Sequence, residues 1–416
     1  MSGPFVERNI RPTVVEALRE ARAVCLLGAR QSGKSTLVKE IARREHPASY
    51  VTLDDEGTRR SALEDPPGFI AAISGPAVID EIQRAPELML AIKMRLDTNN
   101  ERGQFLLTGS ANVTTLTTIA DALPGRVDYI RLWPFSQGEM AGVREDFLDR
   151  LLAGEPPHIE GAEVGRAAYA QQIARGGFPD AHSRGADGRA RFFASYTETI
   201  LGRSVEDVAR VRDAGAVARV LGVAAARSAG LMNARGMSAE LGMDHKTVTA
   251  HTKILEDLFL VRRLRSWHTN LTSRQVKAPK LHVTDTGLLS HLLHVDADGL
   301  ARDTPLAGPL FETFVAMELQ RQCGWSRCEP SLYHYRDGQQ REVDIVLELR
   351  SGEIAGVEVK SAATVRARDF AGLRHLRDKL GDRFKAGVVL YAGERSLPFG
   401  DRLTAVPLCG LWSQPA

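Results

Sequence analysis

The chain has 416 residues, 43% hydrophobic and 25% charged, with 54 Lys and Arg against 52 Asp and Glu for a net charge of +2. That length exceeds one compact core and predicts two or three domains, and the composition excludes a disordered, fibrous or collagen-like chain. No apolar run approaches the ~18 residues of a membrane span, and the near-neutral total by itself neither suggests nor excludes nucleic acid. Met1 to Arg11 has no signal-peptide core, and Cys25, Cys323, Cys328 and Cys409 lack paired spacing. Reduced thiols in a cytoplasmic protein are therefore expected.

The first third alternates short apolar runs with helical stretches, which predicts βαβ units and a parallel sheet. The runs are Ala23–Leu27, Ser49–Leu53, Ala77–Ile79, Gln104–Thr108 and Tyr129–Leu132. Between the first run and a helix over Thr36–Arg44 lies Gly28-Ala29-Arg30-Gln31-Ser32-Gly33-Lys34-Ser35, a full G-x-x-x-x-G-K-[ST] phosphate loop. Glycines let backbone N–H groups wrap phosphates, and the following helix N-terminus favours their charge. Residues 28–36, including Thr36, are thus the expected ATP cradle. Lys34 would reach the β- and γ-phosphates and Ser35 would ligate Mg²⁺.

The run Pro76-Ala77-Val78-Ile79 ends in Asp80 and Glu81. Asp80 would hold Mg²⁺ through its water shell and Glu81 would act as general base on the attacking water. Phe105–Gly109 leads to Ser110, Ala111 and Asn112, where Ser110 or Asn112 would sense the γ-phosphate or orient the water. Leu123-Pro124-Gly125-Arg126 precedes the next strand, and Arg126 is either a charge-stabilising finger for a neighbouring subunit or an uncommitted surface arginine.

This order resembles the AAA+ ATPases: phosphate loop, Ile79-Asp80-Glu81-Ile82-Gln83, Leu107-Thr108-Gly109-Ser110, then Gly-Arg before a strand. More closely it resembles a prokaryotic AAA-family group with a C-terminal DUF4143 domain, to whose recurring segments Arg131-Leu132-Trp133-Pro134-Phe135-Ser136 and Gly176-Gly177-Phe178-Pro179 are also similar. The resemblance runs from about Arg8 to Leu390. It implies a homo-oligomeric ATPase, a hexameric ring by analogy, with Arg126 as finger.

Past a boundary loop with Gly154, Pro156 and Pro157, the chain reads as helical, over Ala190–Val211 and Ala214–Arg227. Ser238–Met243 then forms a short helix and turn, and Asp244 caps a second helix through Leu255, a helix-turn-helix signature. Lys246, Thr247, Thr249, His251 and Lys253 are its candidate DNA donors. A strand over Val261–Trp267, a basic loop over Ser273–Lys280 and a strand over Leu281–Thr284 complete a winged helix. Arg262 to Lys280 carry six Lys or Arg and no acid, so Arg274, Lys277 and Lys280 join the DNA candidates. The alternative is a lid or oligomer contact without DNA.

The last part reads as a helix over Phe311–Gln322 and strands over Glu342–Arg350, Gly356–Lys360 and Ala386–Tyr391, with a hairpin at Ser351-Gly352. Asp344 and Glu358 would share a second divalent metal, with Lys360 on the same strand face and Glu312 nearby. This set resembles the PD-(D/E)xK nuclease superfamily, implying either an active nuclease or a degenerate fold that only binds DNA. No Cys/His spacing suggests zinc.

The expected fold is α/β throughout: a P-loop, AAA+-like ATPase domain over 1–145, a helical linker or lid over 146–212, a winged helix over 213–300 and a restriction-endonuclease-like domain over 301–416. The expected activity is Mg²⁺-dependent ATP hydrolysis coupled to remodelling or translocation of duplex or branched (Holliday junction) DNA, with no membrane. The alternatives are a nucleotide-dependent switch that binds a protein partner, and an ATP-regulated metal-dependent nuclease.

Overall fold

The computed structural model describes residues 5–111, 125–204, 213–302 and 304–413. Five strands form the N-terminal sheet: β1 (Ala23–Leu27), β2 (Ser49–Thr52), β3 (Ala77–Asp80), β4 (Phe105–Gly109) and β5 (Val127–Arg131). Every neighbouring pair is parallel and the spatial order is β2-β3-β4-β1-β5. All residues of β1, β3 and β4 are buried, as expected for a sheet covered on both faces. Each fully buried Leu or Val there stabilises the fold by roughly 1.5–3 kcal/mol. Because β4 lies between β1 and β3, the segments after these three strands converge at one sheet end, where open α/β sheets hold ligands.

The middle is helical and includes Arg166–Arg175, Ala186–Thr199 and Ala214–Ala226. The reading of a helix as far as Val211 falls partly on residues 205–212, outside the described set. Helices Ala234–Leu241 and His245–Asp257 meet at Gly242, which takes the left-handed φ of 60° that ends the first. Asp244 caps the second, accepting from Lys246 N at 3.0 Å and Thr247 N at 3.1 Å. Strands β6 (Val261–Leu264) and β7 (Lys280–Val283) pair antiparallel behind them. Their connection contains a helix over Leu271–Val276, capped by Asn270, where the sequence reading has a basic loop.

The C-terminal domain opens with helix Ala307–Gln322 and carries a mixed six-stranded sheet. Strands β8 (Ser331–Arg336), β9 (Glu342–Glu348) and β10 (Ile354–Lys360) form an antiparallel meander. Helix Ala371–Leu380 then crosses to β11 (Phe384–Tyr391), parallel to β10, and β13 (Leu403–Pro407) lies parallel to β11 with the short β12 (Leu397–Pro398) antiparallel beyond it. The overall class is α/β, as expected. No helix of the described residues is long and apolar enough to cross a membrane.

Candidate nucleotide site and flanking clusters

The phosphate loop leaves β1 at Gly28, where a Cβ would lie 2.1 Å from the Leu132 carbonyl; no side chain fits between loop and β5 exit. Gly33 takes φ 96° and starts helix Lys34–Arg44. Buried Lys34 donates to the carbonyls of Gly28 and Ala29, both at 3.0 Å. Burial pulls its pKa below the ordinary lysine value, and the Glu81 and Asp80 carboxylates work against that fall. The Ser32 hydroxyl is buried with no hydrogen-bond partner. Ala29 is buried and Arg30 and Ser35 are half-buried, whereas Gln31 and Thr36 face out. A helix N-terminus, a lysine resting on loop carbonyls and an orphaned hydroxyl fit a bound phosphate chain.

Across the same sheet end, Asp80 is buried and both its oxygens are occupied. One accepts from Tyr50 OH at 2.5 Å, the other from the Thr108 hydroxyl. Glu81 sits at φ 62°, the left-handed region that is strained for a residue with a side chain. Its backbone N–H donates to Thr108 Oγ1 at 3.0 Å. Its carboxylate accepts from Ser110 Oγ at 2.9 Å and from the Gln83 amide, which also reaches Ser110 Oγ at 2.8 Å. Lys34, Asp80, Glu81 and Ser110 are thus brought together, and Arg30, Glu81, Gln83, Ser110 and Leu258 help line a cleft of ≈ 270 Å³. Ser35 and Asp80 carry the hard oxygen donors beside the cradle that a Mg²⁺ ion would take. Tyr50, Gln83 and Thr108 were not singled out from sequence; Gln83 lies in the Ile-Asp-Glu-Ile-Gln run, two residues from Glu81. Asn112 lies outside the described residues.

Arg126 stands apart from this cluster. It precedes β5 at the sheet's opposite end, where its carbonyl accepts from Ala23 N, and its guanidinium pairs with Asp97. A five-residue strand at about 3.3 Å per residue puts roughly 16 Å between it and its own phosphate loop.

Other segments clasp the loop. Buried Arg8 donates to the Ser32 carbonyl at 2.9 Å, the Trp133 carbonyl at 2.6 Å and Glu139 Oε1 at 3.0 Å, with its guanidinium 4.7 Å from the Phe135 ring centre. From the middle region, Tyr196 OH donates to the Arg30 carbonyl at 3.3 Å. Gly177 accepts from Phe135 N at 2.7 Å and donates its own N–H to Asp285 Oδ2 at 2.7 Å. Asp285 also caps helix Thr286–Leu292, two residues past β7. A continuous path thus joins the phosphate loop to the β6–β7 hairpin.

The helix-turn-helix presents Lys246, Thr247 and Thr249 to solvent, but His251 is buried and Lys253 pairs with Asp257 of its own helix at 2.5 Å. The basic stretch is largely neutralised. Arg263 pairs with Glu256, and Arg274 makes a two-pronged pair with Glu348 beneath the Trp267 and Tyr333 rings. Half-buried Arg262 has its pKa pushed down to about 10, by desolvation first and then by Arg131. Only Arg265 and Lys277 of the six are exposed.

Lys280 is a correction. It is 2% exposed, so it has no surface from which to touch DNA. β7 is buried on both faces and carries its ammonium into the C-terminal domain, 2.6 Å from Glu312, 2.7 Å from Glu342 and 3.2 Å from Asp344. Burial opposes its charge, but Asp344, Glu312 and Glu342 outweigh that and raise its pKa. Among the described residues no group of three or more His, Cys, Asp or Glu is placed to hold an ion, and the two carboxylates expected to share a second metal have other partners. Asp344 instead spends one oxygen on Lys280 and the other on Val359 N at 2.9 Å, and Glu358 pairs with Lys360 at 2.7 Å.

Comparison with known proteins follows these divisions. Residues 20–141 match the AAA domain model AAA_14, residues 166–299 the domain of unknown function DUF8612, and residues 307–411 the domain of unknown function DUF4143. Uncharacterized proteins of Mycobacterium bovis and Mycobacterium tuberculosis are each 29% identical over 405 residues, covering 96% of this chain and 83% of theirs. Among solved structures, the Walker-type ATPase PABY2304 of Pyrococcus abyssi aligns over 70% of this chain and 96% of its own, at 13% identity and a TM-score of 0.44. A RuvB variant of Thermotoga maritima aligns over 62% of this chain and 90% of its own, at 18% identity and a TM-score of 0.28. Residues 20–141 are thus an AAA domain and residues 307–411 a DUF4143 domain, the pairing that the sequence resemblance implies.

Proposed function

We propose that the chain hydrolyses ATP with Mg²⁺ and couples the reaction to binding and remodelling of duplex or branched DNA, as a cytoplasmic homo-oligomer. The observation that carries the reading is the meeting of Lys34, Asp80, Glu81 and Ser110 at one sheet end, joined to the β6–β7 hairpin through Gly177 and Asp285.

ATP enters with its β- and γ-phosphates on the loop N–H groups, and Lys34 exchanges the Gly28 and Ala29 carbonyls for phosphate oxygens. Ser35 and Asp80 would hold Mg²⁺, which would supply neutralisation of the charge developing on the transferred group. Glu81 takes the proton of the attacking water, with Ser110 and Gln83 fixing its carboxylate. Arg126 is too far from its own site and acts on that of a neighbouring copy, releasing Asp97 to do so. Changes at the loop pass through Gly177 and Asp285 to the hairpin, whose exposed Lys277 joins Lys246, Thr247 and Thr249 as phosphate and base contacts.

A partner-binding switch would use the same site with slow hydrolysis. ATPase assays with single-stranded, duplex, forked and four-way-junction DNA separate the readings. Lys34→Ala should abolish turnover, and DNA should stimulate the wild type with salt-dependent affinity. Turnover in the lysine variant removes the nucleotide assignment; no stimulation or binding at low salt removes the DNA assignment and leaves the switch.

A further inference from the structure

The C-terminal acid cluster is accessible: a cleft of ≈ 400 Å³ opens on it, lined by Lys280, Glu312, Glu342, Asp344, Glu358 and Lys360 among others. An ion from solvent has an entry path, and Glu358 Oε2 is buried with no hydrogen-bond partner. Yet the cation at its centre belongs to another part of the chain. Lys280 heads β7, where backbone pairing with Leu264 and a bridge to Leu231 fix its register. The Lys280 ammonium donates to Glu312 and Asp344 and forms an ion pair with Glu342 at 2.7 Å, so three carboxylates surround it.

We propose that Lys280 is the resident cation of this cluster, an autoinhibitory contact by which the β6–β7 hairpin keeps divalent metal out of the C-terminal domain. A Ca²⁺- or Mg²⁺-type ion would need oxygen ligands at about 2.0–2.6 Å drawn from these same carboxylates. The ammonium occupies the space between them, and its positive charge opposes a second cation a few ångströms away. One Asp344 oxygen accepts from Lys280 and the other from Val359 N, so a metal drawing on this carboxylate would compete with the lysine for it. The same contact latches the hairpin to the C-terminal domain, so metal binding, as distinct from access, requires the hairpin to lift. The proposal is independent of the ATPase reading, because it concerns the nucleotide-free chain.

The test is Mn²⁺ binding to the full-length, nucleotide-free protein, followed by the paramagnetic signal of free Mn²⁺. Wild type should bind none at this cluster, whereas Lys280→Met should gain one ion at least tenfold tighter than any wild-type binding, lost again in Lys280→Met/Asp344→Asn. Removing the lysine alone leaves three carboxylates without their counter-charge, so Lys280→Met/Glu342→Gln, which removes one of them as well, is measured alongside. Refolding of either variant that depends on Mn²⁺ counts as the gained site. One Mn²⁺ bound by wild type and lost on Asp344→Asn would overturn the proposal. So would folded Lys280 variants that bind none, or variants whose failure to fold is indifferent to Mn²⁺.

Discussion

Arg8 Nη1 donates to the Ser32 carbonyl at 2.9 Å, so a residue just ahead of helix Arg11–Glu20 holds the phosphate loop from behind. The same guanidinium pairs with Glu139, whose side chain is 1% exposed. Arg8→Ala would leave that carboxylate buried without its cation, and breaking such a pair costs about 3–5 kcal/mol. Urea unfolding should show a loss of that size together with weaker ATP binding. Arg8→Lys keeps the charge but not the planar fork that serves two carbonyls and a carboxylate, so it should fall between. Stability equal to wild type in Arg8→Ala would mean that the arm is not a support of the loop.

The ATP site predicts three separable phenotypes. Lys34→Ala removes a buried charge and two loop hydrogen bonds, so it should fold normally but lose turnover. Glu81→Gln keeps its shape while losing the base, so kcat should fall by roughly 10²–10⁴ with ATP binding retained. Ser110→Ala removes one hydrogen bond to Glu81, about 1 kcal/mol and therefore roughly fivefold in kcat. Equal losses in all three variants would argue for a collapsed site. Equilibrium ATP binding beside steady-state kinetics distinguishes these results.

For DNA, burial revises the expected ranking. Lys246 and Lys277 are exposed, and Lys246→Ala or Lys277→Ala should each reduce the slope of log affinity against log salt by about one. Lys253→Ala should have less effect, because that side chain already pairs with Asp257. Arg274 is committed to Glu348 and to two aromatic rings, so its replacement should lower stability more than it changes the salt slope. Fluorescence anisotropy across a salt series reads each slope.

The nucleotide site was legible because its chemistry is local. Eight consecutive residues write the phosphate loop, and Asp80-Glu81 and Ser110 each end an apolar run. The Asp244 cap was legible for the same reason: its partners are two and three residues away. Lys280 was not. In a linear charge count it closes a basic run, and only the pairing of β7 with β6 shows that it heads a strand buried on both faces. Arg8 and Asp285 were hidden by distance, since Arg8 meets Trp133 and Glu139 more than a hundred residues away and Asp285 meets Gly177 likewise. Strand β8 and the Leu271–Val276 helix also escaped, the helix because its apolar residues Leu271 and Val276 are exposed and give no core-facing stripe.

The junction of the ATPase and C-terminal domains should make stability depend on pH. Burial, and then the charge of Glu318, push the Glu145 carboxyl up to about 8; burial pushes Glu318 up to about 7 despite its pairing with Arg321 at 3.0 Å. Unfolded glutamate titrates near ~4.3. The folded chain therefore keeps protons that the unfolded chain has released, and this stabilisation, complete below about pH 4, is lost as pH rises through 7 to 8. Stability should fall by on the order of 4 kcal/mol between pH 6 and pH 8.5. The Glu145 carboxyl accepts from Gly138 N at 2.9 Å and from the Asn9 amide, neither of them basic, so Glu145→Gln should mimic the protonated form and flatten the profile, leaving the variant more stable than wild type at pH 8.5. Glu318→Gln should not, because it takes a carboxylate from Arg321. Superimposable urea-unfolding profiles for wild type and Glu145→Gln from pH 6 to 8.5 would show that Glu145 is not the titrating group.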